Sequence, residues 1–296
     1  MNVRDLTGSI VALVTPFHAD GSVNFDKLGE LIDFHLANHT DALLILGTTG
    51  ESSTMSHEED DAVCEYTVKR VAGRIPVIAG SGSNCTQTMV EKSLSFQRLG
   101  ADGLLLITPY YNKTNEEGMY LHFKTVADAV DIPCILYNVP GRTGCSISED
   151  VIRRLSVHPN IMGIKEASGN LSYATNIARY VSDSFRMYSG NDDIVLPMMA
   201  LGSSGVISVS ANIIPQQTHD MVVHYLEGRP GEALAIQLKY LDVIHDLFME
   251  VNPVPVKEAM NLMGMEVGGY RLPLTYMAEA HRAVLKSAME AAGILG

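Results

Sequence analysis

Eight short apolar runs recur along this chain, at residues 9–14, 42–46, 75–79, 103–107, 134–138, 161–165, 186–189 and 205–209. Most are separated by stretches with helical spacing. The runs are nearly continuous in apolar residues rather than alternating. Parallel strands covered on both faces read this way, whereas a half-exposed antiparallel strand alternates. Strands and helices taking turns through 296 residues suit an α/β fold. A (β/α)8 TIM barrel needs roughly 250 residues. An open doubly wound sheet is the competing arrangement. Against it, no GxGxxG follows the first run, and polar loop clusters close nearly every run rather than one switch point. The expected architecture is a barrel over residues 1–228 with a helical appendage over 229–296, because ranges 231–249, 254–263 and 275–291 read as helices beyond those a barrel needs.

Local signals agree. Residues 24–38 place Phe25, Leu28, Leu31, Ile32 and His35 on one helical side. Ser56 with Glu59 forms a capping box, and Thr86 and Ser148 read as N-caps. An apolar content of 46% supports a sizeable core. The net charge of −13, with no basic block, argues against nucleic acid or an anionic membrane as partner. The first residues reach Asp5 before any apolar run, unlike a secretory signal, and no run approaches a membrane span. Cys64, Cys85, Cys134 and Cys145 lack ligand spacing, so free thiols in a reducing, cytoplasmic compartment are expected.

In such a barrel the functional groups sit at the C-terminal strand ends. Those positions carry Thr48 and Thr49, Tyr110 and Tyr111, Tyr137 and Arg142, Lys165, Gly190 and Asn191, and Ile207 and Ser208. The set holds one amine, several hydroxyls and one guanidinium. It holds no cluster of His, Cys or carboxylate ligands, so no metal is expected. Lys165 ends an apolar run and precedes Ala167-Ser168-Gly169-Asn170. A lysine buried there is costly unless it loses its proton, and the neutral amine is a nucleophile. The bland alternative is a lysine ion-paired with Glu166. Each other residue has a bland reading too: Thr48 and Thr49 as turn caps, Tyr137 as a core tyrosine, Arg142 as a solvated charge. Taken together the groups suit Schiff-base chemistry on a 2-oxo acid. The protonated imine acts as an electron sink, hydroxyls move protons, the glycine-framed loop at Thr48 and Thr49 nests a carboxylate, and an arginine clamps a second anionic substrate.

Three motifs, Gly47-Thr48-Thr49-Gly50-Glu51, Tyr137-Asn138-Val139-Pro140-Gly141-Arg142-Thr143-Gly144 and Gly163-Ile164-Lys165-Glu166-Ala167-Ser168-Gly169, carry a resemblance over essentially the whole length. At these residues the chain resembles the dihydrodipicolinate synthase / N-acetylneuraminate lyase family of class I pyruvate aldolases. Sialic-acid lyases carry Ser-Thr in place of Thr48-Thr49 and lack a counterpart of Arg142, so the likeness is closer to the synthase branch. That branch condenses pyruvate with L-aspartate 4-semialdehyde, giving 4-hydroxy-tetrahydrodipicolinate on the route to diaminopimelate and lysine. The resemblance implies Lys165 as the Schiff-base residue, a Tyr137, Thr48 and Tyr111 proton relay, and no cofactor beyond the covalent pyruvate. It further implies that Thr49 holds the pyruvate carboxylate, Arg142 the semialdehyde carboxylate, and Gly190 and Ile207 the pocket wall through their backbones. Tyr111 would reach a neighbouring subunit's site within a homotetramer built as a dimer of tight dimers.

Regulated members of the family bind lysine at the dimer interface, and Ser52, His57, Asn84 and Tyr110 match that possible allosteric site. Asp60 and Thr88 stand where the regulated pattern has a histidine and a glutamate, so weak or absent lysine inhibition is expected. Three other readings stay open: a sibling 2-oxo-acid aldolase acting on a sugar acid, a non-catalytic carboxylate-binding barrel, and a lysine–pyridoxal-phosphate enzyme. The last lacks a convincing phosphate cradle after the seventh and eighth runs.

Overall fold

A computed structural model describes residues 3–296; residues 1 and 2, which open the range expected for the barrel, lie outside the described residues. The strands are β1 (Gly8–Ala12), β2 (Ala42–Ile45), β3 (Val77–Gly80), β4 (Gly103–Ile107), β5 (Cys134–Asn138), β6 (Ile161–Glu166), β7 (Arg186–Ser189) and β8 (Gly205–Ser208). They pair in parallel in sequence order, and β8 returns to β1 to close the barrel.

Side chains alternate between two buried layers. Ile10, Ala12, Leu44, Ile78, Leu105, Ile135, Tyr137 and Ile207 form one cluster inside the barrel. Their strand neighbours Val11, Leu43, Val77, Leu104 and Leu136 pack outward beneath the helices. Burying each such aliphatic side chain contributes roughly 1.5–3 kcal/mol. A one-residue slip of β5 would exchange its two layers, so the register is strongly held. That register sets Tyr137 beside Lys165 and Lys165 beside Tyr188.

Helix starts follow their capping residues. Asn24 accepts from the Lys27 N–H at 3.0 Å, and Ser56 and Glu59 form the reciprocal capping box. Asn115 and Ser148 cap the helices Glu116–Ala129 and Glu149–Leu155. Thr86 is not an N-cap: the helix runs Thr86–Arg98, Cys85 precedes it, and the Thr86 hydroxyl bonds His122 Nδ1 at 2.8 Å instead.

After β8, helix Pro215–Leu226 packs on β1 and completes the outer ring. The helix expected over 231–249 is two helices, Pro230–Lys239 and Leu241–Asp246. They meet at Tyr240, whose ring is buried in the core and whose backbone leaves helical geometry. Helix Val254–Leu262 matches its expected range. The helix expected from 275 begins later, as Glu279–Ala291. Glu250 accepts from the Ala278 N–H at 2.9 Å, which fixes that start. Residues 264–278 serve as a strap across the barrel mouth. Arg271 donates to the Gly21 and Thr54 carbonyls and pairs with Glu59.

Candidate active site

Two lysines are buried in this protein, and their surroundings separate them. Lys257, fully buried, donates to the Thr15 carbonyl at 3.1 Å, to Glu51 Oε1 at 2.8 Å and to the Gly269 carbonyl. An ammonium has three protons to donate, and all three are used. Burial pushes its pKa down, the Glu51 carboxylate opposes that shift, and the three bonds tie the loop after β2 to the C-terminal strap. Lys165 is 5% exposed and has no hydrogen-bond acceptor and no ion pair among the described residues. Burial pushes its pKa from 10.5 down to about 8, against the opposing charge of Asp192 and with help from Arg142.

The ion pair with Glu166, the bland alternative for Lys165, does not form. Consecutive residues of a strand face opposite ways. Lys165 points into the barrel, and Glu166 points out to accept from Asn138 Nδ2 at 2.7 Å and the Ser168 N–H at 2.7 Å. The Asn138 carbonyl side of that amide accepts from the Ile147 N–H. The outward carboxylate thus braces β5 against β6 behind the inward lysine.

Lys165 opens into a cavity of about 170 Å³ lined by Thr48, Thr49, Tyr137, Arg142 and Gly190 among others. Its ammonium lies 4.5 Å from the centre of the Tyr137 ring. Burial pushes the Tyr137 hydroxyl up to about 12, opposed by Arg142 and by a hydrogen bond with Thr48. The phenol therefore keeps its proton and can donate or relay it. Thr49 is buried, and Asn252 Nδ2 donates to its hydroxyl at 3.0 Å. Arg142 sits at the mouth, with Nη2 donating to the Asn252 carbonyl at 3.2 Å. At Gly190 a methyl group would stand 2.5 Å from Ala167 Cβ and 3.0 Å from Lys165 Cε, so only glycine leaves the lysine its space.

The structure gathers Lys165, Tyr137, Thr48, Thr49, Arg142 and Gly190. Ile207 is packed inside the barrel, and Val209 is the residue from that segment that lines the cavity. Tyr111 lies apart from the cavity, 93% exposed, with a left-handed φ of 69°. An outer cavity of about 410 Å³ adjoins the inner one through Thr48, Tyr137 and Arg142. Ser52, His57 and Tyr110 line it, with Asp60 and Thr88. Asn84 stands beside it, donating to the Tyr110 carbonyl at 3.3 Å. Asp60 forms a buried ion pair with Lys92 at 2.8 Å, and Lys92 also lines this cavity.

Two site residues escaped the sequence reading. Asp192, wholly buried, accepts from the Val209 and Ser210 N–H groups at 2.9 Å and places negative charge near Lys165. In the run Asn191-Asp192-Asp193 nothing marks which residue turns inward. Asn252 lies far along the chain from Thr49, and only its polarity ahead of an apolar helix distinguishes it. Among the described residues no group of three or more His, Cys, Asp or Glu could hold a metal ion, and no helix is long and apolar enough to cross a membrane.

The model of the dihydrodipicolinate synthetase family matches residues 5–292. The chain is 54% identical to 4-hydroxy-tetrahydrodipicolinate synthase of Caldicellulosiruptor saccharolyticus, over 97% of each chain. The crystal structure of dihydrodipicolinate synthase from Aquifex aeolicus superposes with a TM-score of 0.95 at 44% identity, covering 98% of this chain and 99% of that one. The chloride-inhibited dihydrodipicolinate synthase from Acinetobacter baumannii, complexed with pyruvate, superposes with a TM-score of 0.95 at 42% identity and the same coverage. A match of that extent, on a barrel whose mouth holds a neutralisable lysine beside a tyrosine and a threonine, shows that the chain belongs to the dihydrodipicolinate synthetase family.

Proposed function

We propose that Lys165 is the Schiff-base nucleophile for the reaction of this family, in which Tyr137 and Thr48 move the protons. The reaction is the condensation of pyruvate with L-aspartate 4-semialdehyde to 4-hydroxy-tetrahydrodipicolinate, in diaminopimelate and lysine biosynthesis. The observation that carries the residue assignment is the contrast between the two buried lysines. Lys165 lines a cavity with no acceptor bonded to its amine among the described residues, and burial brings its pKa down to about 8, which leaves a usable fraction of free amine near neutral pH.

The neutral amine attacks C2 of pyruvate, and loss of water gives a protonated imine. Removal of a C3 proton then gives an enamine. The enamine carbon forms a bond to the aldehyde carbon, and the aldehyde oxygen takes a proton from the Tyr137–Thr48 pair. The amino group of the second substrate displaces Lys165 from the imine, which closes the ring and frees the lysine. Thr49 and its loop receive the pyruvate carboxylate. Arg142 receives the carboxylate of the semialdehyde. No cofactor is needed beyond the covalent pyruvate.

Tyr111 completes the relay from a neighbouring subunit, in a homotetramer assembled from tight dimers. Its support is a large aromatic side chain held almost fully exposed next to the outer cavity's Tyr110. The four free cysteines support a cytoplasmic location. Pyruvate consumption with L-aspartate 4-semialdehyde, beside an N-acetylmannosamine control, tests the reading. Turnover with the semialdehyde alone is expected. Turnover with the sugar alone would move the chain to the sugar-acid branch. Borohydride with pyruvate should label Lys165, and an unlabelled lysine would refute its role.

A further inference from the structure

We infer that Asn252 is a positioning residue for pyruvate, acting by setting the direction in which the Thr49 hydroxyl donates. This rests on the reading of Thr49 as the receiver of the pyruvate carboxylate. A threonine hydroxyl has one proton and two lone pairs, so a neighbouring donor and a neighbouring acceptor leave it in different states. Asn252 Nδ2 approaches Thr49 Oγ1 at 3.0 Å as the donor. The hydroxyl oxygen is then occupied as an acceptor, and its proton is left for a third group. Both residues line the Lys165 cavity, so that third group is whatever occupies the cavity. A carboxylate is the ligand that gains most from a free hydroxyl proton, because hydrogen bonds to charged groups are stronger than neutral ones.

The amide is built in rather than incidental. Asn252 is 5% exposed and lines the cavity, and its Oδ1 has no hydrogen-bond partner among the described residues. The backbone of the same residue does separate work: its carbonyl accepts from Arg142 Nη2 at 3.2 Å. One residue therefore touches both expected carboxylate receivers, through its side chain for Thr49 and its backbone for Arg142. A side-chain substitution should disturb the first and leave the second.

Asn252→Asp keeps the shape and reverses the bond. A carboxylate accepts only, so it would take the Thr49 proton and set a negative charge beside the pyruvate carboxylate. The expected result is a KM for pyruvate raised on the order of 10- to 100-fold, from the range of a charged hydrogen bond. Asn252→Ala should raise the same KM less, since the hydroxyl is released rather than captured. In Asn252→Ala, which adds no charge to the cavity shared with Arg142 and Lys165, the KM for the semialdehyde and kcat at saturating pyruvate should stay within about threefold. In a cycle with Thr49→Val, adding Asn252→Ala should cost nothing further. Equal losses in kcat and both KM values in Asn252→Ala, or additive effects in the cycle, would overturn the proposal in favour of a structural role. A Thr49→Val enzyme with unchanged pyruvate KM would instead overturn the carboxylate reading of Thr49 on which it stands. A raised KM in Thr49→Val with none in Asn252→Asp would sink the Asn252 role alone.

Discussion

Replacing Lys165 by methionine should make the protein more stable while abolishing its chemistry. The argument starts from the lysine's pKa, which falls from 10.5 to about 8 on burial. At about 1.4 kcal/mol per unit, holding this amine in the fold costs roughly 3 kcal/mol at any pH below 8. The sign follows from proton counting. Between pH 8 and 10.5 the unfolded chain keeps a proton on Lys165 that the folded chain has lost. Stability from this group therefore rises with pH through that window, and the deficit is complete below it. Methionine fills a similar length without a charge to desolvate. What it forfeits is the contact of the ammonium with the Tyr137 ring at 4.5 Å, worth about 2 kcal/mol for a desolvated cation. Desolvation is the larger effect. The thermal midpoint of Lys165→Met at pH 7 should rise by on the order of 5 °C for a chain of this size. The gain should shrink toward zero as the pH is taken from 8 to 10.5. A variant that melts below the parent, or a difference flat across that range, would refute the claim that a destabilised lysine is kept for reactivity.

The electrostatic neighbours of Lys165 predict opposite shifts in the pH profile of borohydride trapping with pyruvate. Asp192→Asn removes the charge that favours the ammonium, so the acid limb should move to lower pH, whereas Arg142→Ala removes one that disfavours it, so the limb should move up. Shifts in the same direction would mean the two groups act by other routes. Gly190→Ala should cut trapping by at least about 100-fold with the fold retained by circular dichroism, because the added methyl meets Lys165 Cε at 3.0 Å; near-parental trapping would show that the loop yields. L-Lysine should inhibit weakly or not at all, since the only carboxylate found at the mismatched positions, Asp60, is already paired with Lys92 at 2.8 Å. Complete inhibition at low lysine would contradict that.

Much of this molecule is legible in the linear chain because parallel barrels repeat one instruction eight times. Buried strands need unbroken apolar runs, and chemistry gathers where those runs end. β4, β5 and β7 start and stop where the apolar runs do. Lys165 stands out because it closes such a run. What is hidden is of two kinds. Tyr240 and the 264–278 strap depart from helical spacing for tertiary reasons: a buried ring and a set of carbonyls and carboxylates recruited from elsewhere in the chain. Asn252 is hidden by distance along the chain, since nothing local reports that it meets Thr49.

The second kind is subtler, and it governs reactivity. Lys257 also lies in an apolar stretch, and it is more deeply buried than Lys165. Residue type and burial alone would choose it as the nucleophile. It is held because Glu51 and two backbone carbonyls take its three protons, and forming a neutral amine would leave one of those buried acceptors without its donor and the Glu51 carboxylate without its countercharge. Among the described residues no acceptor is bonded to the Lys165 amine, so its deprotonation strands none. Its neighbours at the strand mouth are a phenol that keeps its proton, a glycine, and a charge held by other donors. Reactivity at this site is thus set by which partners are missing, and a missing partner leaves no mark on a linear chain. The fold supplies that absence by turning Glu166 outward on the next step of the same strand.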